Sequence, residues 1–161
     1  MKSKKPLPKT ILFVCLGNIC RSPSAEEVFR KKFKDLNFSI KVDSAGTAGY
    51  HQGEFSDPRT IHVGKIRGYD LKHRARKILD SDFNNFDLIL CMDDSNLSNL
   101  LQISPQEHHS KIRKLTDYSL TKKHKIVPDP YYGQETDFHL VIDIIEDCFE
   151  GFIAHHESQL P

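Results

Sequence analysis

The sequence predicts one α/β domain with a mainly parallel sheet, and three observations support this fold class. Short runs of β-forming apolar residues alternate with amphipathic segments along 161 residues, the length of one ordinary domain. The first run is almost continuously apolar, as is typical of a parallel strand buried on both faces. No internal repeat, linker or low-complexity block divides the chain, so one core is expected.

Four segments are predicted to form the strands. Residues 9–16 form the first strand, which runs directly into a glycine and an asparagine. Residues 38–46 form the second, which also ends at a glycine. Residues 86–93 and 111–118 form the third and the fourth.

Four further segments carry helical periodicity. Residues 22–36 place apolar side chains at helical spacing, with acids early and lysines late, as the helix dipole favours. A second helix begins with Asp57 as N-cap, followed by a proline at the first helical position, and ends at Gly68. Residues 94–103 and 137–156 are the other two, and the last is long and amphipathic.

A long irregular segment, residues 121–137, contains two prolines and one glycine. A loop of this length inside a compact domain is usually functional. Ligands of parallel α/β sheets bind outside the carboxyl ends of the strands. The residues that follow the first strand occupy such a place and are the first candidates for a site.

Composition and charge exclude several function classes. Hydrophobic residues make up 38% of the chain and charged residues 28%, which is typical neither of a disordered nor of a membrane protein. The formal net charge is +1, so the chain lacks the overall basic field that favours nucleic-acid binding. Any bound anion must therefore be held by local groups.

The basic N-terminal residues 1–8 are predicted to form a flexible tail. The apolar stretch that follows, residues 11–16, is too short for the hydrophobic region of a signal peptide. No segment approaches the length of a transmembrane helix. We therefore expect a cytoplasmic location and no membrane partner.

The four cysteines do not form a recognisable metal or disulfide pattern. The cysteines are Cys15, Cys20, Cys91 and Cys148. They include neither a CxxC pair nor a Cys/His cluster, so no structural zinc site is expected. Without an export signal, a disulfide framework is not expected either. Cys91 and Cys148 are predicted to be core residues.

The residues between Cys15 and Ser22 have the chemistry of a phosphate site. If the loop curls ahead of the helix that begins near Ser22, its N–H groups converge on one point and bind an anion, aided by the helix dipole. Arg21 adds a planar fork of donors that suits two phosphate oxygens. The same positive surroundings favour the thiolate of Cys15, which would be a nucleophile aimed at phosphorus.

Other interpretations of this segment are weaker. Neither the P-loop string G-x-x-x-x-G-K-[ST] nor the Rossmann string G-x-G-x-x-G occurs. Of the four cysteines only Cys15 has an arginine six residues later. A cysteine after a strand is most often a small buried hydrophobe, but the strand–loop–helix context favours function.

The motifs VCLGNICRSPSAE, CMDDSN and DPYYG, in this order, resemble the low-molecular-weight protein tyrosine phosphatase family. The resemblance extends from about Lys9 to the last helix. It implies a single three-layer α/β/α domain, residues 9–161, with a four-stranded parallel sheet flanked by helices and a phosphate-binding loop after the first strand. It also implies a phosphocysteine intermediate and neither metal nor cofactor.

The resemblance assigns the catalytic roles. It makes Cys15 the nucleophile, Arg21 the phosphate clamp and Asp129 the general acid and then base. A tyrosine phenol is a poor leaving group at neutral pH, so a proton donor helps. Because an ordinary aspartate is ionised at pH 7, activity is expected to peak on the acid side of neutrality unless the site favours its protonated form.

The remaining site residues are also assigned by the resemblance. Asn18 braces the loop with Ser44 and His73 as partners, and Ser22 donates to the thiolate. The phosphate-binding loop and the pocket walls comprise Leu16, Gly17, Asn18, Ile19, Cys20, Ser22, Tyr50, Tyr131 and Tyr132. Tyr50 stands where many members carry tryptophan, so substrate preference does not transfer directly. Cys20 is a candidate for a protective disulfide with Cys15.

The expected substrates are phosphotyrosine proteins or small aryl phosphates, hydrolysed by a monomer that releases inorganic phosphate. Four alternatives remain. An arsenate reductase needs a relay of further thiols, and a protein-arginine phosphatase tends to carry threonine where Ile19 stands. A phosphocysteine carrier of a sugar-transport system needs no general acid, and a non-catalytic phosphotyrosine-binding module is expected to have lost Cys15, Arg21 or Asp129.

Overall fold

The computed structural model describes residues 6–156, and its sheet has the predicted fold class. The strands are β1 (Thr10–Cys15), β2 (Lys41–Gly46), β3 (Leu88–Cys91) and β4 (Ile112–Lys114). They lie in the order β2-β1-β3-β4, and every neighbouring pair is parallel. The four-stranded parallel sheet is therefore confirmed.

Helices connect the strands. They are α1 (Arg21–Asp35), α2 (Pro58–Ile66), α3 (Asp82–Asn85), α4 (Asp94–Ile103) and α5 (Glu135–His156). Two 3-10 helices, Gln106–Lys111 and Leu115–Tyr118, flank β4. The one-turn helix α3 was not predicted, and neither was the 3-10 helix before β4. The second 3-10 helix takes the place of the last four residues of the predicted fourth strand.

The sheet is covered on both faces. Alternate residues of β1 enter different clusters, because successive side chains of a strand point to opposite faces. Ile11 and Phe13 pack with α1, α2 and α5, whereas Leu12 and Val14 pack with residues of α3 and α4. This three-layer arrangement explains why β1 is apolar at nearly every position.

Aromatic rings dominate the larger of the two clusters. The ring of Phe29 in α1 lies edge-to-face against Phe13 in β1, with centroids 4.8 Å apart. Phe149 and Phe152 of α5 contact the same ring at 5.1 and 5.9 Å. These contacts hold α1 against β1, and the phosphate-binding loop connects these two elements.

The helix ends follow their capping residues. Asp57 is the N-cap of α2, and its carboxylate accepts a hydrogen bond from Arg59 N at 2.9 Å. Just beyond the end of α2, Gly68 has a left-handed φ of 89°. Asp93 caps α4 by accepting from Asn96 N at 2.8 Å. Helix α1, by contrast, begins at Arg21 without any side-chain cap.

The prediction for the fourth strand was too long. Only Ile112, Arg113 and Lys114 pair with β3, and the chain turns into a 3-10 helix at Leu115. The partner strand β3 has only four residues, so further pairing is not available to this edge strand.

Only part of the predicted N-terminal tail lies within the described residues. The predicted flexible tail covers residues 1–8, of which residues 1–5 lie outside the described residues, and Leu7 packs against the larger core cluster. Within residues 6–156, no helix combines the length and the apolar character needed to cross a membrane.

Candidate active site

The loop between β1 and α1 turns its carbonyl oxygens away from its centre. Those of Cys15 and Leu16 accept hydrogen bonds from Thr47 N and Ala48 N at 2.9 and 3.0 Å. The carbonyl of Ile19 accepts from Asp57 N, and that of Cys20 from the Ser24 hydroxyl. Because the carbonyls are bound outside, the loop is arranged for its N–H groups to face inward.

Cys15 lies at the end of β1, and its sulfur is held by two neighbours. Ser22 Oγ is 3.0 Å from Cys15 Sγ, and Asn18 N–H donates to the same sulfur at 3.3 Å. The residue is buried.

The direction of these hydrogen bonds follows from one backbone donor. Arg76 N–H donates to Asn18 Oδ1 at 3.0 Å, so the amide group of Asn18 points its Nδ2 the other way, toward Ser22 Oγ at 2.7 Å. Ser22 Oγ accepts there and therefore has its own hydrogen free for Cys15 Sγ. The sulfur receives two donors, which stabilises the thiolate.

Asn18 is the centre of the support behind the loop. Its backbone has a left-handed φ of 58°, which asparagine tolerates better than most residues. Its Nδ2 also donates to Ser44 Oγ at 3.0 Å, and Ser44 in turn donates to Glu26 Oε1 at 2.7 Å. Asn18, Ser44 and Glu26 thus form one chain of hydrogen bonds behind the loop.

His73 completes this support from the other side. Its Nε2 lies 2.8 Å from Asn18 Oδ1, and its Nδ1 lies 3.1 Å from Glu26 Oε1. The two ring nitrogens of His73 therefore connect the Asn18 side chain with the Glu26 carboxylate. Glu26 was not among the predicted site residues; its place in the first turns of α1, four residues after Ser22, was the available signal.

Arg21 is fixed from two directions at the start of α1. Its Nη1 donates to Asp93 Oδ2 at 2.6 Å and to the carbonyl of Val127 at 3.0 Å, while its Nη2 lies 3.8 Å from Asp129 Oδ2. Burial opposes a charged guanidinium, but the Cys15 thiolate and the two carboxylates outweigh burial and raise the pKa of Arg21 above its usual value. Asp93 was also missed, although it lies within the quoted CMDDSN motif.

These residues surround a cavity of about 280 Å³ with the Cys15 thiol in its wall. The structure brings most of the predicted site residues to it: Cys15, Leu16, Gly17, Ile19, Cys20, Arg21, Tyr50, Asp129, Tyr131 and Tyr132. Asn18, Ser22, Ser44 and His73 do not line the cavity and instead form the hydrogen-bonded support of the loop. His51 lines the cavity as well and was not predicted.

The aromatic walls differ in how firmly they are held. Tyr131 packs edge-to-face on Tyr132, with ring centroids 5.0 Å apart. The Arg59 guanidinium lies 5.4 Å from the centre of the Tyr131 ring. Tyr132 and Tyr50 are 95% and 75% exposed, so they stand at the mouth. A flat ring inserted between these walls would place its substituent near Cys15.

Asp129 lies at the same mouth, on the long loop before α5. Its Oδ1 accepts from Tyr131 N at 3.0 Å, and its side chain is 47% exposed. Val127, two residues earlier, donates its N–H to the Met92 carbonyl at 2.8 Å and so fastens the loop to the end of β3. The Asp129 carboxylate thereby lines the same cavity as the Cys15 thiol.

The structure describes one group of potential metal ligands within residues 6–156: Glu26, Asp43 and His73. Arginines already bind both carboxylates, with Arg30 Nη2 at 2.6 Å from Glu26 Oε2 and Arg76 Nη2 at 3.0 Å from Asp43 Oδ2. The group therefore acts as an ion-pair network behind the loop.

Comparison with known proteins identifies a family. The family model described as "Low molecular weight phosphotyrosine protein phosphatase" matches residues 10–160. The low molecular weight phosphotyrosine protein phosphatase of Homo sapiens is 46% identical over 149 residues, which are 90% of this chain and 94% of the human protein. That of Schizosaccharomyces pombe is 47% identical over 131 residues, covering 80% and 84% of the two chains.

Solved structures agree with this match. A crystal structure of a protein tyrosine phosphatase from Entamoeba histolytica, with Hepes in its active site, is similar with a TM-score of 0.89 at 48% identity. The similarity covers 92% of this chain and 97% of the Entamoeba chain. A Bacillus subtilis structure titled YfkJ follows with a TM-score of 0.86 at 34% identity, over 94% and 96% of the two chains.

Proposed function

This chain belongs to the low molecular weight phosphotyrosine protein phosphatase family and is a protein tyrosine phosphatase; from that premise we propose that it hydrolyses phosphotyrosine through a phosphocysteine on Cys15. The single observation that carries the proposal is the directed hydrogen bonding at Cys15 Sγ, which receives donors from Ser22 and Asn18. A sulfur held as an acceptor beside a buried arginine is prepared to act as a thiolate nucleophile.

In the first step, the Cys15 thiolate attacks phosphorus and the bond from phosphorus to the phenol oxygen breaks. The loop N–H groups, the start of α1 and Arg21 hold the three non-bridging oxygens, whose charge they stabilise. Asp93 and the Val127 carbonyl fix Arg21 so that its remaining donors face the phosphate. Asp129 gives its proton to the departing phenol oxygen.

In the second step, the ionised Asp129 takes a proton from a water molecule as that water attacks the phosphocysteine. The phosphorus–sulfur bond breaks, and Cys15 leaves as a thiolate that Ser22 and Asn18 N–H again stabilise. Inorganic phosphate is released. The reaction uses no cofactor, because the chain supplies nucleophile, clamp and acid itself.

The shape of the cavity supports aryl rather than alkyl phosphate esters. Cys15 is buried below walls formed by Tyr50, Tyr131 and Tyr132, so a long flat side chain is needed to reach it. We propose phosphotyrosine proteins and small aryl phosphates as substrates of a cytoplasmic, monomeric enzyme.

Hydrolysis of a phosphotyrosine peptide and of the same peptide with phosphoserine tests this function. With a chelator and a thiol reductant present, we expect kcat/KM for the phosphotyrosine peptide to exceed that for the phosphoserine peptide by at least about 10²-fold, since the shorter side chain does not reach Cys15. Phosphate release measures both rates. Equal rates, or no turnover of either peptide, would contradict the proposal.

We also propose that Cys20 protects Cys15 from over-oxidation. Peroxide oxidises the Cys15 thiolate to a sulfenic acid, and the Cys20 sulfur then displaces water to form a disulfide. Burial is the main cause that raises the pKa of Cys20 to about 12, and the nearby charge of Asp57 adds to it. Because only the thiolate attacks, disulfide formation should accelerate as pH rises from 6 toward 9.

Non-reducing mass spectrometry after mild peroxide measures this protection. We expect a loss of two mass units that maps to the Cys15–Cys20 pair. Sulfinic acid at Cys15 beside a free Cys20 thiol would overturn the protective role.

A further inference from the structure

A second cavity lies at the opposite edge of the sheet from Cys15. Its volume is about 560 Å³, and it is lined at one side by Lys9, Leu88 and Lys111, which precede or begin β1, β3 and β4. Cys15 closes the other end of β1. At about 3.3 Å per residue, Lys9 and Cys15 are about 20 Å apart, so the second cavity is not an extension of the catalytic one.

The walls of this second cavity are largely apolar and aromatic. Leu7 and Leu88 form part of one side, and the ring of Tyr118 forms another. Tyr118 is itself held by rings of α5, with centroid distances of 5.4 Å to Phe152 and 5.6 Å to His155. Volume and lining resemble those of sites that bind small organic ligands.

The charges around the second cavity are mostly positive. Lys9, Lys111 and Arg113 line it, and Asp87 is the one carboxylate among the lining residues. Asp87 already accepts a hydrogen bond from Lys9 N at 2.8 Å, and Lys111 Nζ donates to the carbonyls of Phe83 and Phe86 at 2.5 and 3.0 Å.

Arg113 differs from the other cations. Within residues 6–156, its guanidinium has neither a hydrogen-bond acceptor nor an ion-pair partner, although it is half-buried on β4. By contrast, the Arg21 guanidinium donates to a carboxylate and a carbonyl. The Arg76 guanidinium donates to two carboxylates. The positive charge of Arg113 lies close enough to Tyr118 to oppose the rise in that residue's pKa that burial causes.

We propose that this cavity is a binding site for a small aromatic anion, whose acidic group pairs with Arg113 and whose ring packs against Tyr118 and Leu88. Charge complementarity and the unused donors of the guanidinium select an anion, and the aromatic wall selects a ring. The site is separate from the phosphatase reaction and does not depend on it.

Titration with the fluorescent aromatic sulfonate 1-anilinonaphthalene-8-sulfonate tests the site in the full chain. We expect saturable binding at one site, weakened about tenfold by Arg113→Gln because the charge pair is lost. Arg74→Gln is the matched control, because it removes the same charge outside this cavity: the Arg74 guanidinium lies 4.2 Å from the centroid of the Phe55 ring. That control should bind the probe like the parent chain.

A second pair of variants separates charge from folding. Ser110 is exposed at the rim of the cavity, so its replacement does not disturb the core. Ser110→Glu should weaken the probe about as much as Arg113→Gln does, whereas Ser110→Lys should keep or strengthen binding. Aryl phosphate hydrolysis should be unchanged in both Ser110 variants and in Arg113→Gln.

Three outcomes would overturn the proposal. The first is the absence of saturable binding to the parent chain. The second is an Arg113→Gln variant that binds the probe as tightly as the parent. The third is competitive inhibition of aryl phosphate hydrolysis by the probe at its own dissociation constant, which would place it in the catalytic cavity.

Discussion

Cys15→Ser is expected to lower the turnover of an aryl phosphate by at least about 10⁴-fold, the largest single effect in this protein. A serine hydroxyl stays protonated in the place of the thiolate, so no nucleophile remains even though Ser22 and Asn18 still surround the position. The phosphate-binding groups are retained. Equilibrium binding of inorganic phosphate should therefore change by no more than a few fold while turnover is lost.

Cys91→Ser is the matched control for this substitution. Cys91 is also a buried cysteine at the end of a parallel strand, and its sulfur lies near the carbonyl oxygens of Asp93 and Arg113, which a serine hydroxyl can use. The turnover of the Cys91→Ser variant should stay within a few fold of that of the parent chain. Turnover by Cys15→Ser within tenfold of the parent would exclude Cys15 as the nucleophile.

Asp129→Asn is expected to reduce kcat for phosphotyrosine by about 10² to 10³-fold, the range typical of a lost general acid. The loss should be smaller for a nitrophenyl phosphate, because a more acidic phenol departs with less help from a proton donor. The pH profile of kcat should change with it. Any part of the pH dependence of kcat that comes from proton donation by Asp129 should disappear in the variant, because an amide has no such proton to give.

Asp137→Asn provides a nearby control, in the first turn of α5. The Asp137 carboxylate accepts a hydrogen bond from Gln134 N at 2.7 Å and does not line the cavity. Its activity and pH profile should match the parent's. If Asp129→Asn lost equal activity on both substrates, a role in proton transfer to the phenol would be wrong.

The parts of the fold and site that rest on local chemistry could be predicted from the sequence. The apolar run of β1, the cysteine at its end and the arginine at the start of α1 lie within a dozen residues, so their spacing alone predicts a strand, a phosphate loop and a helix. The α2 start at Asp57–Pro58 is equally local and is confirmed at Pro58. The resemblance to a family then added Asp129, which no local pattern connects with Cys15.

The parts that depend on tertiary contacts could not be predicted. Asp93 reaches Arg21 across 72 residues only because β3 lies beside β1, and strand order is not readable from periodicity. Glu26 joins the loop support through Ser44 and His73, from two other segments. The early end of β4 reflects the short partner strand rather than its own residues.

The uncapped start of α1 links the stability of the fold to what the active site holds. Aspartates cap α2 and α4, which begin after Asp57 and Asp93, but α1 has no side-chain cap and leaves its first amide donors to the phosphate site. A bound dianion is then the cap of that helix. At a phosphate concentration one hundred times its dissociation constant, mass action adds about 2.7 kcal/mol to the free energy of unfolding. The reaction product thus acts as a thermodynamic ligand of the native state, and the same occupancy that slows turnover makes the enzyme harder to unfold.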